Sequence, residues 1–140
     1  MRFALFASLL LALAACGTPD VDASVTITQG VYGQLTKRCT GDGCVGAPLE
    51  GAPVAWFETS PWSTDGGVGP HPSQESTSGA NGLYQFSVAS NVKGYVAVGQ
   101  RVATTGVTWV TATAVTVPKG LARVDWYGGP GNEGTWTQVK

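Results

Sequence analysis

The scarcest side chains that could do chemistry are the thiols of Cys16, Cys39 and Cys44 and the imidazole of His71. Nucleophilic catalysis needs a base held beside a serine or cysteine, and His71 is the only imidazole in the sequence. It lies between Pro70 and Pro72 in a stretch without periodicity, a poor frame for preorganisation. Paired-carboxylate hydrolysis needs two acids on a shared face, and the nine Asp and Glu residues show no such pairing. A zinc site at Cys39 and Cys44 lacks two further soft ligands. Asp42, Asp65 and Glu133 sit in glycine-rich loops without the multi-carboxylate spacing of a calcium loop, so they are expected to accept turn hydrogen bonds. The expectation is therefore no catalytic residue, no metal and no cofactor.

The three cysteines divide by context. In KRCTGDGCVG, four residues including two glycines separate Cys39 from Cys44, enough for the chain to turn back and bring the thiols together. In an oxidising compartment they should pair, pinning a local loop rather than holding the fold. Cys16 instead ends an apolar run. MRFALFASLLLALAAC carries one positive charge, Arg2, then only apolar or small residues from Phe3 to Ala15, the layout of a secretory leader. About 13 residues at about 1.5 Å each would span roughly 20 Å, short of the roughly 30 Å hydrocarbon core.

The residues LAAC, Leu13 to Cys16, resemble the bacterial lipobox. That resemblance implies a diacylglyceryl group on the Cys16 thiol, cleavage just before it and acylation of the new amino terminus. Two or three acyl chains hold stably where one holds only marginally, at about 0.8 kcal/mol per buried methylene. Cys16 is thus expected to anchor the chain to a membrane of the bacterial cell envelope. Gly17, rather than Asp, after the cysteine points to the outer membrane.

Removing residues 1–15 leaves one domain's worth of chain, and the net charge of −1 becomes one unit more negative with the loss of Arg2. No basic patch invites nucleic acid. Charged residues make up 12% of the chain, about half the usual quarter, while 20 glycines and 8 prolines punctuate a Val- and Thr-rich sequence. This is the composition of a turn-rich β protein. Residues 16–24 read as a tether and 25–140 as the folded domain. In VTITQGVYGQLT, Val25, Ile27, Val31 and Leu35 share one parity, predicting a half-buried first strand with bulges or bends at Gly30 and Gly33. Val54, Trp56 and Phe57 open a buried second strand that stops by Pro61, and residues 62–73 form a long exposed loop. Asn81 and Gly82 suit a tight turn into a strand carrying Tyr84, Phe86 and Val88, closing a hairpin. GYVAVGQ and VTWVTATAVTVP supply two more strands, the latter with Val107, Trp109, Val115 and Val117 on one parity. The end, 121–139, reads as two short strands around GGPGNEG. Seven or eight strands without a helical period predict an all-β, antiparallel sandwich behind a cleaved signal helix.

The order of GVYGQL, PLEGAPVAWFE, TSGANGLYQFSV and GYVAVG resembles the carboxypeptidase regulatory-like domain, a prealbumin-like sandwich related to transthyretin. The motifs that carry it are Val31 to Gly33, Pro53 with Val54, and Gly82 to Phe86, over roughly residues 25 to 117. The resemblance implies a non-catalytic spacer or binding platform.

The aromatic residues are the remaining signal. Trp56 and Trp109 fall in apolar strand contexts and are expected in the core. Trp62 sits at a loop mouth, and Trp126, Tyr127 and Trp136 flank the last turn. Exposed rings there could stack on a sugar or peptide, while cross-strand pairs tying the last hairpin to the sheet are the structural alternative. The sequence thus points to a non-enzymatic, lipid-anchored envelope protein, an accessory or interaction module whose partners are the membrane and an envelope protein or glycan. Carbohydrate binding through Trp62, Trp126, Tyr127 or Trp136 is the second reading, and a small envelope hydrolase the third.

Overall fold

The computed structural model describes residues 22–38, 46–62, 70–103, 106–129 and 132–139. After a single 3₁₀ turn, Asp22–Ser24, these residues form nine strands: β1 (Gly30–Lys37), β2 (Pro53–Phe57), β3 (Gln74–Thr77), β4 (Leu83–Ser87), β5 (Lys93–Val102), β6 (Gly106–Thr116), β7 (Leu121–Arg123), β8 (Trp126–Gly129) and β9 (Asn132–Gln138). They build two sheets. The first runs β4-β1-β8-β9, with β7 also on β1, and the second runs β3-β2-β5-β6.

Alternation places Val31, Leu35, Tyr84, Phe86 and Trp126 of the first sheet against Val54, Trp56, Val96 and Val98 of the second in one buried core. The fold is therefore the all-β sandwich expected. Its strand count and pairing differ from expectation in four places, each with a local cause.

The first strand starts at Gly30, not Val25. Gly30 adopts φ +140°, which ends the extended run, and side-chain amides replace the ladder for the residues before it. Gln85 Oε1 accepts from the backbone N–H of Thr26 at 2.9 Å, and Gln29 Nε2 donates to the Pro118 carbonyl at 2.9 Å.

The Asn81–Gly82 turn does not close a hairpin. Gly82 has the positive φ expected of it (+76°), yet β3 pairs with β2 in one sheet and β4 with β1 in the other. The turn is a corner between sheets. It is fixed by the Asn81 side-chain oxygen, which accepts from Leu83 N–H at 3.1 Å, and by buried Ser78, whose hydroxyl accepts from Ala52 N–H and donates to the Leu49 carbonyl.

The sandwich is not antiparallel throughout. β1 runs antiparallel to β4 but parallel to both β7 and β8, with Gly30 opposite Leu121 and Leu35 opposite Trp126. β7 and β8 act as one parallel strand broken at Val124 and Asp125. At the break the Val124 N–H still donates to the Tyr32 carbonyl at 2.9 Å, and the Asp125 carboxylate accepts from the Gln34 N–H at 2.8 Å in place of a main-chain oxygen. The break fits only over Gly33, where a Cβ would lie 1.7 Å from the Val124 oxygen. Gly33 is a site of close approach rather than a bend.

Finally, β6 contains an extra residue. Val98 opposes Thr111 and Gly99 opposes Trp109, leaving Val110 as a bulge. Val115 and Val117 face or enter the core as their parity predicted, but past the bulge the faces exchange. Trp109 consequently leaves the core side and packs with Phe57, Ala55, Ala97, Tyr95 and Ala112 in a second apolar cluster on the outer face of the second sheet.

Candidate functional site

Cys16, Cys39 and Cys44 lie outside the described residues, as do Asp42 and Asp65. His71 is exposed, and among the described residues no three His, Cys, Asp or Glu side chains gather where they could hold one metal ion. No helix among the described residues is long and apolar enough to cross a membrane.

The four aromatic candidates separate. Trp126 and Trp136 retain only 2% and 8% of their surface and belong to the main core, so neither ring can serve as a stacking platform. The reason is parity: in β8, Trp126 and Gly128 point between the sheets, which turns Tyr127 outward. Trp136 then packs near Gly128, opposite it in β9. Tyr127 is half-buried beneath the Arg38 guanidinium, 4.9 Å above its ring, an arrangement of cation–π type. Trp62 is 53% exposed in the turn after β2. Neither Trp126 nor Trp136 forms a cross-strand aromatic pair within the hairpin: Trp126 stands opposite Gln138 and Trp136 opposite Gly128.

Among the described residues, Trp109 lines a groove at the surface. It packs against Phe57 in a T-shaped arrangement, 5.5 Å between centroids and 85° between planes. To reach Phe57, two strands away, the indole lies across β5. Only a glycine at 99 leaves that room, since a Cβ there would stand 3.0 Å from Trp109 Cε3 and 2.9 Å from Val107 Cγ1. Beside the indole opens a groove of about 380 Å³ lined by Pro53, Glu75, Thr77, Arg101, Val107 and Trp109. Glu75 and Arg101 are exposed, and among the described residues neither has an ion-pair partner. A second hollow, about 450 Å³, lies between residues 26–29 and 87–89. Its principal polar group, the Gln29 amide, is already committed to Val88, Pro118 and Gly120 main-chain atoms.

The opposite sheet carries an electrostatic clamp at the start of the domain. Asp22 receives a hydrogen bond from the Tyr32 hydroxyl at 2.8 Å and two from Arg123 Nη1, at 3.0 and 3.1 Å. Arg123 Nε donates in turn to Asp125 at 2.8 Å, and its guanidinium stands 5.8 Å from the centre of the Tyr32 ring. The hydrogen bond to Asp22, then burial and the Asp22 charge, raise the Tyr32 phenol above its usual value. Asp22 is thus held against the sandwich by side chains of β1 and β7.

Sequence reasoning missed both features. Asp22 and Arg123 are 101 positions apart, and no local pattern joins them. Trp109 shares the odd parity of Val115 and Val117, and nothing in VTWVTATAVTVP marks Val110 as the extra residue. The chain matches no family model, no curated protein and no solved structure.

Proposed function

We propose that this protein is a non-enzymatic, lipid-anchored component of the bacterial cell envelope, an accessory or interaction module held at the membrane through acylated Cys16. The observation that carries this reading is the spacing between LAAC and the first docked residue. Asp22, which Tyr32 and Arg123 grip, lies six positions after Cys16. Fully extended, that length reaches only about 20 Å, so acyl chains on Cys16 would hold the sandwich against the lipid surface. Gly17 after the cysteine favours the outer membrane, and the resemblance to carboxypeptidase regulatory-like domains agrees with a platform that does no chemistry. In that oxidising setting Cys39 and Cys44 pair within their loop.

Two measurements test the anchor. In a bacterial host fed labelled palmitate, the wild-type chain takes up label and sediments with membranes, while Cys16→Ser takes up none and is released with the soluble fraction. Globomycin, which blocks lipoprotein processing, leaves the precursor uncut. Membrane retention of unlabelled Cys16→Ser would overturn the reading.

A further inference from the structure

We infer that the outer face of the second sheet is a binding site for a neutral glycan, with Trp109 as its stacking platform and Glu75 and Arg101 as its polar clamps. This goes beyond the anchoring proposal and does not depend on it.

The platform is built before any ligand arrives. Phe57 meets the indole edge-to-face at 5.5 Å, and the small residues Gly99, Ala97 and Ala55 form the floor that lets it lie across the sheet. A ring already fixed loses little further freedom on binding. The groove beside it, about 380 Å³, falls at the small end of the roughly 300–1,000 Å³ range of ligand sites.

The rim selects the class of ligand. Glu75 can only accept hydrogen bonds when ionised and Arg101 can only donate them, with the Thr77 hydroxyl able to do both. A sugar hydroxyl donates and accepts at once, so one polyol satisfies both rim groups. An anionic ligand drawn to Arg101 meets Glu75, and a cationic one drawn to Glu75 meets Arg101. The indole face is electron-rich and suits the C–H face of a pyranose ring. A peptide strand is the less suited occupant, because strand addition needs a free sheet edge. The groove crosses the face of the sheet, drawing Pro53 from β2, Glu75 and Thr77 from β3, Arg101 from β5 and Val107 and Trp109 from β6, so it does not run along one edge as an added strand would.

The test is an array of neutral gluco-, galacto-, manno- and N-acetylhexosamine oligosaccharides probed with the full-length chain, followed by titration of the strongest neutral sugar. At least one should bind, with affinity unchanged by added salt. Trp109→Ala should weaken binding by roughly tenfold or more, and so should Glu75→Gln combined with Arg101→Gln. The exposed rim pair should leave the thermal midpoint unchanged, which separates lost binding from lost fold; Trp109→Phe, which retains an aromatic face, should weaken binding less than Trp109→Ala. Trp62→Ala should have no effect. An array without a neutral hit, affinity that survives the rim variant, or preferred binding of charged glycans or peptides would overturn the inference.

Discussion

Tyr84 holds a phenol at the centre of the sandwich, fully buried and donating to the Val124 carbonyl at the break between β7 and β8. Burial pushes its pKa far above the ordinary value of 10. In the unfolded chain the phenol loses its proton near pH 10, while the native state keeps it, so above that pH the unfolded state binds fewer protons and stability falls as pH rises. Tyr32 adds to the same slope through its bond to Asp22. Urea midpoints should therefore be flat near neutrality and decline above about pH 10. Tyr84→Phe should cost roughly 1–3 kcal/mol at neutral pH, by leaving the Val124 carbonyl unpaired, and should flatten the alkaline decline. The position of Tyr84 was legible: alternation with Phe86 in LYQFS put both rings inward, as found. Its partner was not, because Val124 lies 40 residues away at an irregular point that no periodicity announces.

At the scale of elements, the short apolar runs were readable and the pairings were not. PVAWF reads as a buried strand because every residue is apolar and Gly51 and Pro53 set its start; β2 is buried along its whole length. β3 escaped notice because QEST is polar and alternates between half-buried and exposed positions. Parallel pairing of β1 with β7 and β8 depends on the meeting of distant segments, where a glycine and a carboxylate do the local work. Gly33→Ala should cost roughly 3 kcal/mol or more, since the added methyl would displace Val124 and with it the Tyr84 bond. Asp125→Ala should destabilise by a smaller amount, removing both the acceptor for Gln34 N–H and the partner of Arg123, and Asp125→Asn should recover part of the loss. Equilibrium denaturation of the three variants checks the order.

For the molecule as a whole, composition was the dependable guide. Few charges, many glycines and a wealth of Val and Thr implied two sheets around one core, and that is the architecture. Which aromatic rings face water was decided instead by single-residue events: the placement of Trp126 between the sheets and the bulge at Val110 that sends Trp109 out. The core also spans the two chain ends, since Trp136 of β9 packs into the same cluster as Val31 of β1. A chain lacking residues 132–140 should accordingly lose its cooperative thermal transition, a result differential scanning calorimetry would show. The bulge has one more effect. β6 borders the second sheet as eleven residues, GVTWVTATAVT, without a single charge, and a long neutral border of that kind invites neighbouring molecules to zip on and grow into fibrils. With Val110 interposed, the hydrogen-bonding groups fall out of step partway along, so an incoming strand could register with only part of the border.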